Sequence, residues 1–249
     1  MRSYVIATRQ VRDAFPPIGG ALQILTSGSL RARVGLLQAL PRSPQLSASP
    51  EVRAALAAEL QHEVMRDIQS AAASPLTEGV RTGSSRRDYL GLVISTVAQI
   101  RDPSALDALC RVDHLGAVGA RAMYGAAAIP YIVQALRTPP PAGYSLHYRS
   151  GLLESLVLIV RRFSDITERQ RSSIIGVAHA SLDQPASSGE LLRTLDLVEE
   201  LDDDELDGRA EALALDVNVI RGRGIANPEQ LRDVQAKAQA LRARRLTLP

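Results

Sequence analysis

Apolar positions recur with a helical period along nearly the whole chain. In residues 51–69, Val52, Leu56, Leu60, Val64 and Ile68 return every fourth position, while Arg53, Glu59, Glu63, Arg66 and Asp67 fall on other faces. That spacing predicts an amphipathic helix with one buried stripe. Its start is marked as well: Ser49 offers an oxygen to an orphan backbone N–H, Pro50 suits the first turn, and Glu51 favours the positive end of the helix dipole. The same device recurs where Asp102-Pro103 precedes residues 104–112, and where Asn227-Pro228-Glu229-Gln230 precedes residues 231–245, with Gln230 placed as in a capping box. Asp165 followed by Glu168 predicts another start, for a helix carrying Ile174, Ile175, Val177 and Ala178. Further helices are predicted over 3–14, 30–40, 86–100, 117–128, 130–137, 146–163, 189–201 and 204–220. Strand-type alternation is nearly absent. The expected fold class is all-α, with about a dozen helices.

Most connections are short, such as Pro16-Pro17-Ile18-Gly19-Gly20 and residues 42–49, and short connections make sequential helices antiparallel neighbours. Two are longer, residues 73–85 and residues 138–144 with Pro139, Pro140 and Pro141; extra loop length is a common seat of function. No Pro/Ser-rich linker separates independent units, so residues 1–249 are expected to form one continuous array. Self-similarity points the same way. Residues 30–40 and 50–60 align without gaps, with Arg33 and Arg53 each followed by apolar residues at +3 and +4 and by Leu40 and Leu60 at +7. A third copy around Arg209 has Asp216 at +7. These segments resemble the second-helix pattern of HEAT repeats, and residues 99–106 and 128–136 resemble the first-helix pattern, though no fixed period joins them. The resemblance covers about a third of the chain and implies a superhelix of antiparallel helix pairs. A hairpin with too little apolar area to close its own core stacks on its neighbours, and Gly116, Ala117, Gly119, Ala120, Ala122 and Gly125 to Ala128 allow helix axes to approach closely.

Composition narrows the classes. A single Cys rules out an internal disulfide framework, and no apolar run reaches the roughly 18–20 residues of a membrane span, Val157 to Val160 being flanked by Glu154, Arg161 and Arg162. After Met1-Arg2 the apolar stretch from Tyr4 to Ala7 is broken by Arg9 and Arg12, unlike a secretory h-region, so a cytoplasmic location is expected. The net charge of +2 conceals an uneven distribution. Asp196, Glu199, Glu200, Asp202, Asp203, Asp204, Glu205 and Asp207 form a run without a base, followed by a basic tail carrying Lys237, Arg242, Arg244 and Arg245.

Motifs for chemistry are incomplete. His62-Glu63-Val64-Met65-Arg66 begins like a zinc-hydrolase helix, but Arg66 stands where a second imidazole must be. Cys110 and His114 have i, i+4 spacing, compatible with a thiol–imidazole pair on one helix face or with a small buried thiol. Asp203, Glu205, Asp207 and Gly208 imitate half a calcium loop, yet Ala214 replaces the closing carboxylate, and an acidic helix start accounts for the same residues. Arg221-Gly222-Arg223-Gly224 lacks the ending of a phosphate loop. No catalytic residue, metal or cofactor is therefore expected.

Binding is the better-supported role. Tyr144, His147, Tyr148 and Arg149 cluster beside the triple-proline loop, and Tyr and Arg are common interface anchors; Tyr148 also fits a core position at a helix start. With the acidic Asp202, Asp203 and Asp204, they form the expected contact residues of a non-catalytic protein-binding or scaffolding module. The alternative is nucleic acid, held by Arg86, Arg87, Arg161, Arg162, Arg169, Arg171, Arg242, Arg244 and Arg245. HEAT-type DNA glycosylases combine such a surface with Trp and a catalytic carboxylate. This chain has no Trp and departs from that pattern.

Overall fold

A computed structural model describes residues 15–73 and 85–247; the helix expected over 3–14 and most of the 73–85 connection lie outside the described residues. Among the described residues there are fourteen α-helices and no strand. They are α1 (Ile18–Ser27), α2 (Leu30–Ala39), α3 (Pro44–Ala48), α4 (Pro50–Ala73), α5 (Ser85–Ile100), α6 (Leu106–Cys110) and α7 (Leu115–Ala122). The second half contributes α8 (Ile129–Arg137), α9 (His147–Arg162), α10 (Glu168–Asp183), α11 (Ser188–Leu201), α12 (Asp204–Leu215), α13 (Val217–Gly222) and α14 (Pro228–Thr247).

Their packing follows one rule. Six pairs, α1/α2, α4/α5, α6/α7, α8/α9, α10/α11 and α12/α14, pack internally, and each member touches its counterpart in the next pair. One layer therefore runs α1, α4, α6, α8, α10, α12 and the other α2, α5, α7, α9, α11, α14. Partners within a pair are antiparallel: Tyr89 donates to Glu59 and Arg86 faces Glu63 in α4/α5, while Arg242 donates to Glu211 and Gln239 to the Ala214 carbonyl in α12/α14. Neighbours within the second layer are parallel. Residues 145 and 155 of the α9 segment bond to residues 113 and 118 of the α7 segment, and Arg149 and Arg161 of α9 meet Glu190 and Glu200 of α11. α14 packs on α11, α12 and α13; its buried stripe is Leu231, Val234, Ala238 and Leu241, and its other faces are largely polar and exposed.

Local chemistry explains the boundaries. Ser49, Asp102 and Asn227 cap as expected, accepting from Val52, from Ser104, and from both Glu229 and Gln230. The start of α10 differs: its cap is Thr167, two residues past Asp165, in a reciprocal box with Gln170. The helix expected over 117–128 is interrupted. Gly125 takes a φ of +58°, and a Cβ there would come within 2.9 Å of the Phe163 ring, so the chain turns where only glycine fits. The helix expected over 204–220 breaks at Asp216, whose carboxylate accepts from the Asn218 N–H and starts α13. Two elements in stretches read as connections are α1, which holds Gly19 and Gly20 in its first turn behind Pro17, and α3, capped by Ser43.

Candidate functional site

The 138–146 loop and the starts of α7 and α9 meet on one edge of the array. Asp113 fixes the junction, its carboxylate accepting from the Ser145 N–H at 3.0 Å and its carbonyl from Arg87 at 2.7 Å. His114 caps α7, its Nδ1 accepting from the Gly116 N–H at 3.0 Å. Gly143 has a φ of +78°, and a Cβ on it would sit 2.2 Å from the Ala71 carbonyl oxygen, so the loop lies directly on the end of α4.

The four clustered residues divide into different roles. Tyr148 is buried and donates to the Cys110 carbonyl at 2.6 Å. Tyr144 is half-buried, donates to the Arg111 carbonyl at 2.7 Å, and meets Tyr148 edge-on with ring centres 5.1 Å apart. Burial pushes both phenols up, Tyr148 to about 12, so both hydroxyls stay protonated donors at neutral pH. Arg149 crosses three helices, giving Nε and Nη2 to the fully buried Glu190 and Nη1 to the Leu136 carbonyl at 2.6 Å. Of the four, only His147 is exposed. At the starts of α7 and α9 the structure also exposes two residues that sequence reasoning missed: Leu115 is 90% exposed and Leu146 54%. Both sit at helix starts, off the apolar stripe of their own helices, and that offset was their only sequence signal.

The acidic run is mostly matched from within. Asp196 and Glu199 hold Lys237 at 2.6 and 3.0 Å, Glu200 holds Arg161, Glu205 holds Arg209, Asp207 meets Arg245, and Arg244 also reaches Glu199. Asp203 accepts from the Leu206 N–H and starts α12. Asp202, at the left-handed end of α11, and Asp204 remain exposed.

The remaining motifs are placed as follows. Cys110 ends α6 and His114 precedes α7, so they do not share a helix face. Burial pushes the Cys110 thiol up to about 12, with Arg121 pulling the other way, which leaves no thiolate for nucleophilic attack at neutral pH. Glu63 is buried and paired with Arg66 at 3.0 Å, so the cation that breaks the zinc motif also occupies its carboxylate. Among the described residues, no group of three His, Cys, Asp or Glu could hold a metal ion, and no helix is long and apolar enough to cross a membrane.

One interior group was not foreseen. Arg121, in the last turn of α7, is 1% exposed, and its Nε and Nη1 have no hydrogen-bond partner among the described residues. Burial drives its guanidinium below the ordinary value, opposed by Cys110, Tyr148 and Asp113. Together these features define an all-α array of helix pairs with an apolar edge and a buried, unmatched cation. No protein-family model matches the chain, and comparisons with curated proteins and with solved structures find no match either.

Proposed function

We propose that the chain is an α-solenoid, similar to degenerate HEAT repeats, and works as a non-catalytic protein-binding module. Its working surface on this reading is the edge where α7 and α9 begin. The regular touching of like helices along each layer supports the solenoid reading, because that is how stacked hairpins share one core. The observation that carries the binding reading is the pair of exposed leucines. Single exposed apolar side chains are ordinary on any protein surface, but Leu115 and Leu146 stand at helix ends joined by the Ser145–Asp113 bond, with His147 and the edge of Tyr144 beside them. Such a patch suits the apolar side chains of a partner. Asp202 and Asp204, on the opposite edge, would make a second, acidic contact.

The nucleic-acid reading draws less support. Arg161, Arg242, Arg244 and Arg245 are paired with carboxylates of their own chain, and Arg171 is given to the Leu201 carbonyl. Of the arginines on that surface, Arg162 and Arg169 carry no ion pair among the described residues.

The test uses the immobilised full chain in extract from its native cells. Wild type is compared with a Leu115→Ser/Leu146→Ser double variant and with Leu215→Ser, a change at a separate exposed leucine. The expected result is a protein held by wild type and by Leu215→Ser and lost by the double variant, with thermal midpoints unchanged. Equal retention by all three would overturn the proposal, as would salt-sensitive retention of DNA or RNA in place of protein.

A further inference from the structure

The apolar interior divides into two clusters, and the α6/α7 pair is the wall between them. On one side Ala105, Leu109, Val112, Ala117 and Ala120 join the core of α1 to α5; on the other Leu106, Cys110 and Ala122 join the core of α8 to α14. Tyr124 is the residue packed against both clusters, and its hydroxyl donates back to the Val97 and Asp102 carbonyls. The wall is thin: α6 has five residues and α7 eight, and most of the side chains α7 supplies are methyl-sized or absent. It leads into the Gly125 turn with its positive φ.

Arg121 lies in this wall. Its Nε and Nη1 are shut off from solvent and meet no acceptor among the described residues, so in the closed state this side of the guanidinium has lost its water without gaining a hydrogen-bond partner. The carboxylate that acts on it electrostatically, Asp113, is engaged by the Ser145 N–H. Opening the seam returns water to the guanidinium. That gain lowers the cost of separating the clusters here, whereas opening between α9 and α11 would break the matched Arg149–Glu190 pair. We propose that the α6/α7 pair is a hinge on which the two halves of the array rock, and that the unmatched guanidinium of Arg121 sets how readily it opens. Because α7 carries Leu115 and Leu146 immediately precedes α9, rocking would change the spacing of the two leucines. That consequence rests on the proposed binding edge, but the hinge does not.

Native-state hydrogen exchange on the full chain tests it, comparing wild type with Arg121→Met, which keeps the volume and removes the charge. In wild type the amides of 106–122 are expected to exchange at least about tenfold faster than those of α9 and α11. In Arg121→Met they should slow about tenfold or more while α9 and α11 keep their rates. Uniform rates in wild type, or uniform slowing in the variant, would overturn the hinge, since uniform slowing reports only a more stable fold. Should the variant fail to fold, spin labels on the otherwise wild-type chain give a second reading, because Cys110 is too buried to take a label. Labels at positions 95 and 147, across the wall, should give a broad distance distribution, and labels at 147 and 236, within the second half, a narrow one. Equal widths would contradict the proposal.

Discussion

The region around α11, α12 and α14 and the region around α6 and α7 handle charge in opposite ways. In the first, a run of carboxylates and a basic tail some forty residues away in sequence fold against each other, and most charges find partners at the surface. In the second, Arg121 is enclosed without a carboxylate while its layer neighbours, such as Arg149 on Glu190, are fully bonded. Surface pairs in high dielectric hold little free energy each but set which helices meet. A buried charge is costly unless matched, and the contrast between Glu190 and Arg121 makes that difference measurable within one molecule.

The largest effect is expected at the matched buried charge. Glu190→Ala removes the acceptor of Arg149, Ser181 and the Ala186 N–H at once, and should cost about 3–5 kcal/mol in urea unfolding, the range for breaking a buried pair. Arg121→Met should move stability the other way, raising it by about 1–3 kcal/mol, since an apolar side chain of similar volume replaces an unpaired cation. A loss of stability in that variant would show that Arg121 is compensated after all. Tyr148→Phe deletes the bond to the Cys110 carbonyl and should cost about 1–2 kcal/mol, the acceptor being left buried.

A smaller effect is expected from His114. Burial and then the neighbouring Arg87 charge hold its imidazole below the ordinary histidine value, with Asp67, Asp113 and the Arg87 backbone opposing. The unfolded chain therefore binds the proton first. Stability attributable to His114 is complete above about pH 6.5 and falls as the pH drops from there toward its depressed folded value. His114→Asn, which keeps a capping acceptor that does not titrate, should lose that part of the pH slope; an unchanged slope would assign it to other groups. Smallest of all, Arg242→Ala should change stability by less than about 0.5 kcal/mol, because both members of its pair with Glu211 are largely exposed.

What could be read from the chain follows the range of the forces involved. Helix starts at Ser49, Asp102 and Asn227 were legible because a cap depends on a few adjacent residues. The α12/α13 break was missed, although Asp216 is a residue type that caps helices and does so for α13. The start of α10 was displaced to Thr167 because Asp165 and Thr167 both carry an oxygen suited to capping, and the reciprocal bond with Gln170 selects the second. Tyr148 already fitted a core position at a helix start, and it is buried, but Arg149 gave no sign of its inward direction, since its partners come from α8 and α11. Arg121 was equally opaque: in a small-residue helix an arginine reads as solvent-facing, and only the placement of α6 and α9 encloses it. The interior role of the acidic run needed the tail to be folded beside it.

Deuterium uptake of the full chain with and without the protein it retains separates the two regions most directly. Protection should concentrate on residues 111–119 and 138–149, with α12 and α14 unchanged. Protection confined to α12 and α14 would contradict the account and move the working surface to the charged end of the array.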